Sequence, residues 1–521
     1  MIDPACLYWE ETSPGLWRRG LDEVEFFWAK VGKLHDSNGR RPFEITGHVS
    51  LAIETAAATA DEAGERVDTA LRDAWLTARH FHPTIASWTT VDRENEAFPF
   101  KTYRCIVDDT GKNQWLNETL VKAVGFQSGE DLANSDPIAP KQPTLFVIDR
   151  PTTGESGPKV VQRDLVLRAG HDTIDGAGTL LFFGKLLQYV SQALDAGAGY
   201  VVPPLDGTEV ANLSPPYRVA AGIPATPTPE IQRRIDAMMV NHVHFGSAAG
   251  SGDLPSLPLP FIQGSLVPGK NQRVEVVLEK TTVTELLAAC KARGATITHV
   301  FHAAIPLAIR NLVEPQPQET KYNYVHDLLY NLRSFCRPPY NTAAHAVSAY
   351  HSGSAKGNRF PITVPAAGTP PLSPQARRDE FATVLARVRE YYVYVKNDPD
   401  QGQLSPYCWA GHLKGMPTIP ERPAPGPPPR ETASVTISSL GRVDDIIPPR
   451  IGALRVSSPW VMGEEMSNSL GLFMVTHDGT LSLAAAYNDA WHNREEAEAF
   501  IARCVALVVE FLEVNIEYAP W

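Results

Sequence analysis

Apolar residues recur along the chain with two spacings, and these spacings predict strands that alternate with helices. Residues 41–53, 143–149 and 160–167 are short apolar segments bounded by proline or polar residues, which is typical of strands. Residues 61–83 and 179–190 instead repeat apolar side chains every three or four positions, the pattern of an amphipathic helix. The first part of the chain is therefore predicted to be a mixed α/β unit.

The second part of the chain shows the same mixture of elements. Residues 282–294 predict a helix that begins near a threonine and ends at a glycine, two residue types that are common at helix ends. Further strands are predicted at 272–279, 324–333, 434–441 and 480–488, and further helices at 296–312 and 494–515. Both parts of the chain are therefore predicted to be α/β.

Three proline-rich stretches interrupt these elements, at 201–230, 250–269 and 417–430. Proline fixes φ and lacks a backbone donor, so these stretches are predicted to be loops or connectors. The first two flank one predicted helix at 229–243 and together indicate a crossover between two lobes. The third is predicted to be a long loop inside the second lobe.

The chain length also favours two lobes, because 521 residues exceed what one hydrophobic core ordinarily contains. The predicted division is an N-terminal lobe at 1–215, a proline-rich crossover at 216–270 and a C-terminal lobe at 271–521. A cleft between two such lobes is a natural place for a binding site.

Composition and charge narrow the classes of partner. Apolar residues make up 43% and charged residues 20% of the chain, the proportions of a soluble globular protein. The net charge of −12 and the lack of a basic block argue against nucleic acid and anionic membranes, but leave room for a small anionic ligand. The first residues lack the basic start and apolar run that are typical of a signal peptide, no segment has the long apolar run of a membrane span, and the cysteines are scattered. We therefore expect a cytoplasmic protein with reduced thiols.

One short segment, "AGHDTIDGAG" at 169–178, places polar residues in an apolar neighbourhood. If the preceding strand continues to its end, His171 leaves it on the apolar face, near the expected cleft. An imidazole titrates near neutral pH, which suits a general base. Asp175 is turned away and could hold the loop by an ion pair, while Gly176 and Gly178 permit the turn. The residue types alone are equally consistent with a histidine that only hydrogen-bonds within the turn.

The pattern H-x-x-x-D-G in this segment resembles the signature of the chloramphenicol-acetyltransferase-like superfamily, which includes CoA-dependent acyltransferases and condensation domains. Four other stretches resemble the same superfamily in the expected order, at 78–88, 294–309, 328–340 and 434–444. The resemblance covers residues 15–515 and is closest to the fungal trichothecene 15-O-acetyltransferase type. It implies two lobes of this superfamily's kind, with the active site in a tunnel between them.

The resemblance also implies roles for individual residues. His171 matches the catalytic base, which deprotonates an acceptor hydroxyl or amine as it attacks a thioester, without a covalent enzyme intermediate. Asp175 matches a structural aspartate that pairs with an arginine, for which Arg333 is the candidate, and Gly176 matches the residue that allows the turn. Ser438 matches a position where some members place a hydroxyl near the oxyanion, which makes it a candidate donor.

Two departures refine the resemblance. Gly170 stands where condensation domains usually carry a second histidine, which disfavours peptide-bond formation. The D-F-G-W-G motif of the plant-type enzymes is absent, and "SSLGR" stands where it would be expected. An O- or N-acyltransferase of another type is therefore favoured.

His299 and His302 lie three residues apart on one predicted helix, a spacing that two metal ligands could use. No third ligand is spaced nearby, and the neighbouring positions form an apolar stripe. We therefore predict no metal and no tightly bound cofactor.

These observations predict a monomeric acyltransferase with acyl-CoA as co-substrate and a small-molecule alcohol, such as a fungal secondary metabolite, as acceptor. The acyl group is expected to be acetyl. Two alternatives stay open. The same pocket could use a carrier-protein thioester, or could cyclise or isomerise a secondary metabolite with His171 as base. The chain could also be a non-catalytic binding protein that retains the motif.

Overall fold

Helices and strands alternate along the chain in the computed structural model, which describes residues 4–91, 99–153, 159–241, 254–355 and 357–514. The helices are α1 (Glu23–Leu34), α2 (Ala60–Phe81), α3 (Asp109–Thr119), α4 (Gly129–Asn134), α5 (Gly176–Ala196), α6 (Tyr217–Ala220), α7 (Pro229–Asn241), α8 (Lys280–Ala292), α9 (Ile297–Arg310), α10 (Pro374–Asn397), α11 (Gln401–Lys414) and α12 (Arg494–Leu512). The strands are β1 (Glu10–Ser13), β2 (Leu16–Gly20), β3 (Ile45–Thr55), β4 (Trp88–Thr90), β5 (Phe100–Arg104), β6 (Leu120–Lys122), β7 (Thr144–Thr153), β8 (Lys159–Ala169), β9 (Asn271–Leu278), β10 (Thr320–His326), β11 (Leu329–Asn331), β12 (His351–Gly353), β13 (Asn358–Val364), β14 (Val435–Arg442), β15 (Arg450–Ile451), β16 (Leu454–Gly463), β17 (Leu470–His477) and β18 (Thr480–Asn488). The predicted α/β class is confirmed.

A six-stranded sheet forms the first lobe, with the strand order β15–β16–β3–β8–β7–β6. β3 and β8 run antiparallel along their whole length, with Ile45 opposite Ala169. α2 and α5 pack against each other and against this sheet. Side chains such as Leu165 and Phe183 are fully buried in the core between them, which fixes where the turn from β8 to α5 lies.

A four-stranded sheet forms the second lobe, with the strand order β14–β17–β18–β9. β14 runs parallel to β17, whereas β18 runs antiparallel to both of its neighbours. α9 contacts α10 and α12, and Val300, Leu483 and Ile501 are buried in the core that these helices share with the sheet. The expectation of two sheet-based lobes is therefore confirmed.

The chain beyond residue 271 contributes to both sheets. β16 pairs antiparallel with β3 in the first lobe, with Leu454 opposite Ile53, and β15 extends the same edge. The division by sequence had assigned all of 271–521 to one lobe. A strand's own residues show that it is a strand, but they do not show which distant strand it pairs with.

Most predicted elements are present, but one predicted strand is interrupted and several helices were not predicted. The strand predicted at 324–333 is interrupted, because β10 ends at His326 and Arg333 already belongs to a short 3-10 turn. The proline-rich stretch 417–430 contains neither helix nor strand, as predicted. The apolar patterns did not predict α1, α10 and α11.

Candidate active site

The segment around His171 forms a tight turn between β8 and α5. β8 ends at Ala169, and Asp175 caps α5 by accepting a hydrogen bond from the Gly178 N–H at 2.6 Å. His171 therefore lies in the turn and not in the strand. The alternation of β8 was expected to direct the imidazole, but the orientation depends instead on the turn and on the rings that pack against it.

Arg333 holds the Asp175 carboxylate. One guanidinium nitrogen donates to both carboxylate oxygens, at 2.9 and 3.0 Å, and the Tyr350 N–H donates to the same group at 2.7 Å. Arg333 also donates to the hydroxyl oxygen of Ser348 at 3.1 Å. Asp175 is 2% and Arg333 4% exposed. The structure thus brings together the two residues that were predicted to pair, and it ties the turn to the segment around Tyr350.

An added Cβ would approach its neighbours too closely at Gly170 and Gly178, but not at Gly176. A Cβ at Gly176 would meet its nearest neighbours at 3.6 and 3.8 Å, which is ordinary contact. A Cβ at Gly178 would lie 2.3 Å from the Ala346 carbonyl oxygen, and one at Gly170 would lie 2.5 Å from the Asp172 carboxylate. The close approaches are therefore at Gly178 and Gly170, and the role expected for Gly176 in the turn stays a prediction.

The imidazole of His171 packs against two aromatic rings. The Trp28 ring is nearly parallel to it, at 7° with 4.3 Å between centroids, and the His351 ring lies at 23° and 4.4 Å. Trp28 Nε1 donates a hydrogen bond to His351 Nε2 at 3.0 Å. Burial lowers the pKa of His171 to about 4, although the charge of Asp175 opposes this shift. The imidazole is therefore uncharged at neutral pH, the state that a general base needs.

His171 lines a cleft that is partly open to solvent. The other lining side chains include aromatic, basic and acidic groups, namely Trp28, Trp88, Lys33, Arg41, Lys141, Glu44 and Asp172. All lining residues fall between residues 28 and 173, so the cleft belongs to the first lobe. A tunnel between the two lobes stays a prediction.

Ser438 lies in β14 and does not line this cleft. Its neighbour Ser439 hydrogen-bonds to Thr298 of α9 at 2.9 Å, and Ile437 packs in the core of the second lobe. Because side chains alternate along a strand, Ser438 points away from that core. The structure does not bring its hydroxyl into the described cleft, and its role as an oxyanion donor stays a prediction.

A buried chain of opposite charges supports the turn. Lys101 Nζ donates to the backbone carbonyl of Asp172 at 2.6 Å and lies 3.6 Å from its carboxylate. The same ammonium lies 3.5 Å from the carboxylate of Glu25, which also pairs with Arg19 at 2.6 Å. Burial alone would raise the pKa of the Asp172 carboxyl, but the charge of Lys101 brings it below its usual value. This network of ion pairs fixes Asp172, the residue that follows His171.

His299 and His302 have separate structural surroundings. His299 closes the start of α9, where its Nδ1 accepts from the Thr296 N–H at 3.3 Å. His302 is 1% exposed, and its Nδ1 lies 3.0 Å from the Tyr392 hydroxyl oxygen. Within the described ranges, no three His, Cys, Asp or Glu side chains are grouped so that they could hold a metal ion.

No helix in the described ranges is both long and apolar enough to cross a membrane.

The sequence patterns did not single out three residues of the site: Trp28, His351 and Glu44. A signal for Trp28 exists, since Asp22 caps α1 through its side chain and marks the helix that carries the tryptophan. His351 and Glu44 lack a comparable local signal. They join the site only through contacts between distant parts of the chain.

Comparison with known proteins finds distant relatives over nearly the whole chain. No protein-family profile matches it. Acetyltransferase pigO of Monascus ruber is 24% identical over 511 residues, which is 95% of each chain. O-acetyltransferase pigM of the same organism is 23% identical over 512 residues, 98% of this chain and 88% of the relative.

Solved structures share the fold at low sequence identity. The trichothecene 15-O-acetyltransferase TRI3 of Fusarium sporotrichioides has a TM-score of 0.73 at 17% identity, over 98% of this chain and 99% of its own. The first condensation domain of the calcium-dependent antibiotic synthetase has a TM-score of 0.56 at 14% identity, over 97% and 99%. The chain therefore has the chloramphenicol-acetyltransferase-like, condensation-domain fold and is distantly similar to the fungal acetyltransferases pigO and pigM.

Proposed function

We propose that the chain is an acetyltransferase that moves an acetyl group from acetyl-CoA to a hydroxyl of a small molecule. The observation that carries this proposal is the uncharged imidazole of His171, which lines a cleft on a turn held by Asp175 and Arg333. The names of pigO, pigM and TRI3 as acetyltransferases support acetyl as the transferred group.

In the proposed reaction, His171 takes the proton of the acceptor hydroxyl while the oxygen attacks the thioester carbonyl. The tetrahedral intermediate then expels the thiolate of CoA, and the imidazolium returns the proton to that sulfur. The products are the acetyl ester and free CoA, and the enzyme ends in its starting state. No covalent bond to the protein forms, so the site has to hold both substrates at once. Holding them together makes the step effectively unimolecular.

The donor has phosphate groups that need cations, and three basic side chains line the cleft of His171. These are Lys33, Arg41 and Lys141. Lys141 is exposed, and Lys33 is partly engaged by an ion pair with Asp36 at 3.2 Å. This arrangement supports entry of acetyl-CoA from the first lobe. The acceptor would approach from another side, through the predicted tunnel, where Ser438 is the proposed oxyanion donor.

The experiment begins with thermal melting of the full chain in acetyl-CoA, CoA, longer acyl-CoAs and pantetheine. Ligand at about a hundred times its Kd stabilises the native state by about 2.7 kcal/mol, which is enough to measure. Acetyl transfer is then followed by release of the CoA thiol and by mass spectrometry, with a panel of terpenoid and polyketide alcohols as acceptors.

We expect acetyl-CoA to raise the melting temperature and at least one alcohol to gain an acetyl group. No shift with any CoA thioester would overturn the proposal. It would then favour a carrier-bound donor, or a reaction that transfers no acyl group. A shift without transfer to any alcohol or amine would favour a binding protein.

A further inference from the structure

Glu44 has a buried carboxyl that makes no hydrogen bond. Its residue is 1% exposed, and neither carboxylate oxygen has a partner in the described part of the chain. A buried polar group without a partner is costly, and such groups are rare in folded proteins. Glu44 therefore needs an explanation beyond packing.

The other buried glutamates in the described ranges all have partners. Their pairs are Glu23 with Arg218, Glu25 with Arg19, Glu209 with Tyr103, Glu464 with Arg168 and Glu465 with Ser467. Glu464 is directly beside Glu44, and its N–H donates to the Glu44 carbonyl at 3.0 Å. The fold thus gives a neighbouring acid its partner and leaves the buried Glu44 carboxyl without one.

The position and the protonation state of Glu44 indicate which class of ligand its side chain can bind. It lines the same cleft as His171, and its backbone is fixed on both sides, by Glu464 and by its own N–H donating to the Arg41 carbonyl at 3.2 Å. Burial raises the pKa of Glu44 to about 7, although Arg41 and Arg168 oppose the shift. At neutral pH the carboxyl can therefore both accept and donate a hydrogen bond. A secondary amide offers the matching N–H and carbonyl.

We propose that Glu44 binds an amide of the pantetheine arm of acetyl-CoA inside the cleft of His171. This inference rests on the proposed function and adds to it a residue that recognises the acetyl-CoA donor. The arm is a slender chain with two amides, and the walls of the cleft at Trp28 and Trp88 suit its apolar parts. The exposed Lys141 is available at the same cleft for the phosphates at the far end of the ligand.

The test measures Kd of the full chain for acetyl-CoA and for S-acetyl-pantetheine, which lacks the nucleotide. Glu44→Met removes the carboxyl at similar volume, and Glu44→Gln keeps a group that accepts and donates. We expect Glu44→Met to weaken both ligands about tenfold, as for one lost hydrogen bond to a buried group, and Glu44→Gln to stay within about threefold. The control is Glu54→Met in β3. This variant is expected to leave both Kd values unchanged, because the Glu54 carboxylate pairs with Arg455 at the surface.

A structural role for Glu44 predicts a different result. If the carboxyl supports the fold, Glu44→Met lowers the melting temperature of the free protein. If the carboxyl instead serves to bind a ligand, free Glu44→Met melts at the same or a higher temperature than the wild type. Only the rise in melting temperature caused by acetyl-CoA then becomes smaller. Wild-type Kd values in Glu44→Met would overturn the proposal and point to the acceptor as the ligand of Glu44.

A second measurement does not depend on how the variant folds. S-acetyl-pantetheine methylated on either amide nitrogen is titrated into the wild-type chain. One of the two analogues should bind about tenfold more weakly, and the difference should vanish in Glu44→Met. Equal binding of both analogues and the parent would overturn the role of Glu44 but leave the proposed function intact. Failure of the wild type to bind acetyl-CoA at all would overturn both.

Discussion

One guanidinium nitrogen of Arg333 donates to both carboxylate oxygens of Asp175, at 2.9 and 3.0 Å. The two residues are far apart in the chain and both are buried. Asp175 also caps α5, so this single carboxylate joins the start of a helix to the segment that carries Arg333. The turn that holds His171 is therefore braced by a contact outside its own sequence.

Removing one partner of this pair should destabilise the protein strongly. Arg333→Met leaves the Asp175 carboxylate buried without its counter-charge, and the expected loss is about 3–5 kcal/mol of unfolding free energy. Urea denaturation measures it. The control is Arg455→Met, since Arg455 pairs with Glu54 at the surface and should contribute less than about 1 kcal/mol. Equal losses in the two variants would contradict a bracing role for Arg333.

Replacing His171 should slow acetyl transfer strongly without unfolding the protein. General-base catalysis contributes about 10²–10⁴-fold, so His171→Ala is expected to lower kcat by at least about a hundredfold. Kd for acetyl-CoA should change little, because the imidazole acts on the acceptor's proton. The measurement is the initial rate of CoA release together with the melting temperature. Wild-type rates in a folded His171→Ala would exclude His171 as the base.

Gly178 and Gly176 form a matched pair for a test of the turn. Gly178→Ala places a Cβ 2.3 Å from the Ala346 carbonyl oxygen and 2.7 Å from Arg333 Nη2, so a loss of about 1–3 kcal/mol is expected from overpacking. Gly176→Ala meets only ordinary contacts in the first turn of α5 and should be neutral or slightly stabilising. Thermal melting compares the two. A more damaging Gly176→Ala would support the role in the turn that was expected for that glycine.

Activity should persist well below the usual titration range of histidine. Burial lowers the pKa of His171 to about 4, so the imidazole stays in its basic form down to that pH. We expect kcat/KM to be flat with respect to this group from pH 8 to about pH 5. A fall centred near pH 6.5, at a pH where the protein is still folded, would show that His171 does not act as a base with the lowered pKa described here.

Stability should decline over the same acidic range. A histidine in the unfolded chain takes up a proton near pH 6.5, whereas folded His171 does so only near pH 4. Between these values the unfolded state binds more protons, so stability falls as the pH is lowered. Other histidines with lowered pKa values add to the effect, namely His82, His302, His345 and His351. Melting temperatures between pH 7 and pH 4 provide the check.

Local patterns predicted the elements that present the site. The apolar spacing of 160–167 and 179–190 predicted β8 and α5, and the H-x-x-x-D-G segment located the turn between them. The resemblance supplied Arg333 as the partner of Asp175, and the structure places the two side chains in contact. These features could be predicted because helix periodicity, caps and short motifs depend only on residues that are close together in the sequence.

The sequence by itself determined the α/β class, most of the strands and helices, and the turn that carries His171. Only the tertiary structure decided that β16 completes the sheet of the first lobe, that His351 packs against His171 and that Glu44 is left without a partner. The physical reason is the range of the interactions. Periodicity acts over one or two turns of chain, whereas strand pairing, ring packing and the burial of a carboxyl depend on residues that only folding brings together.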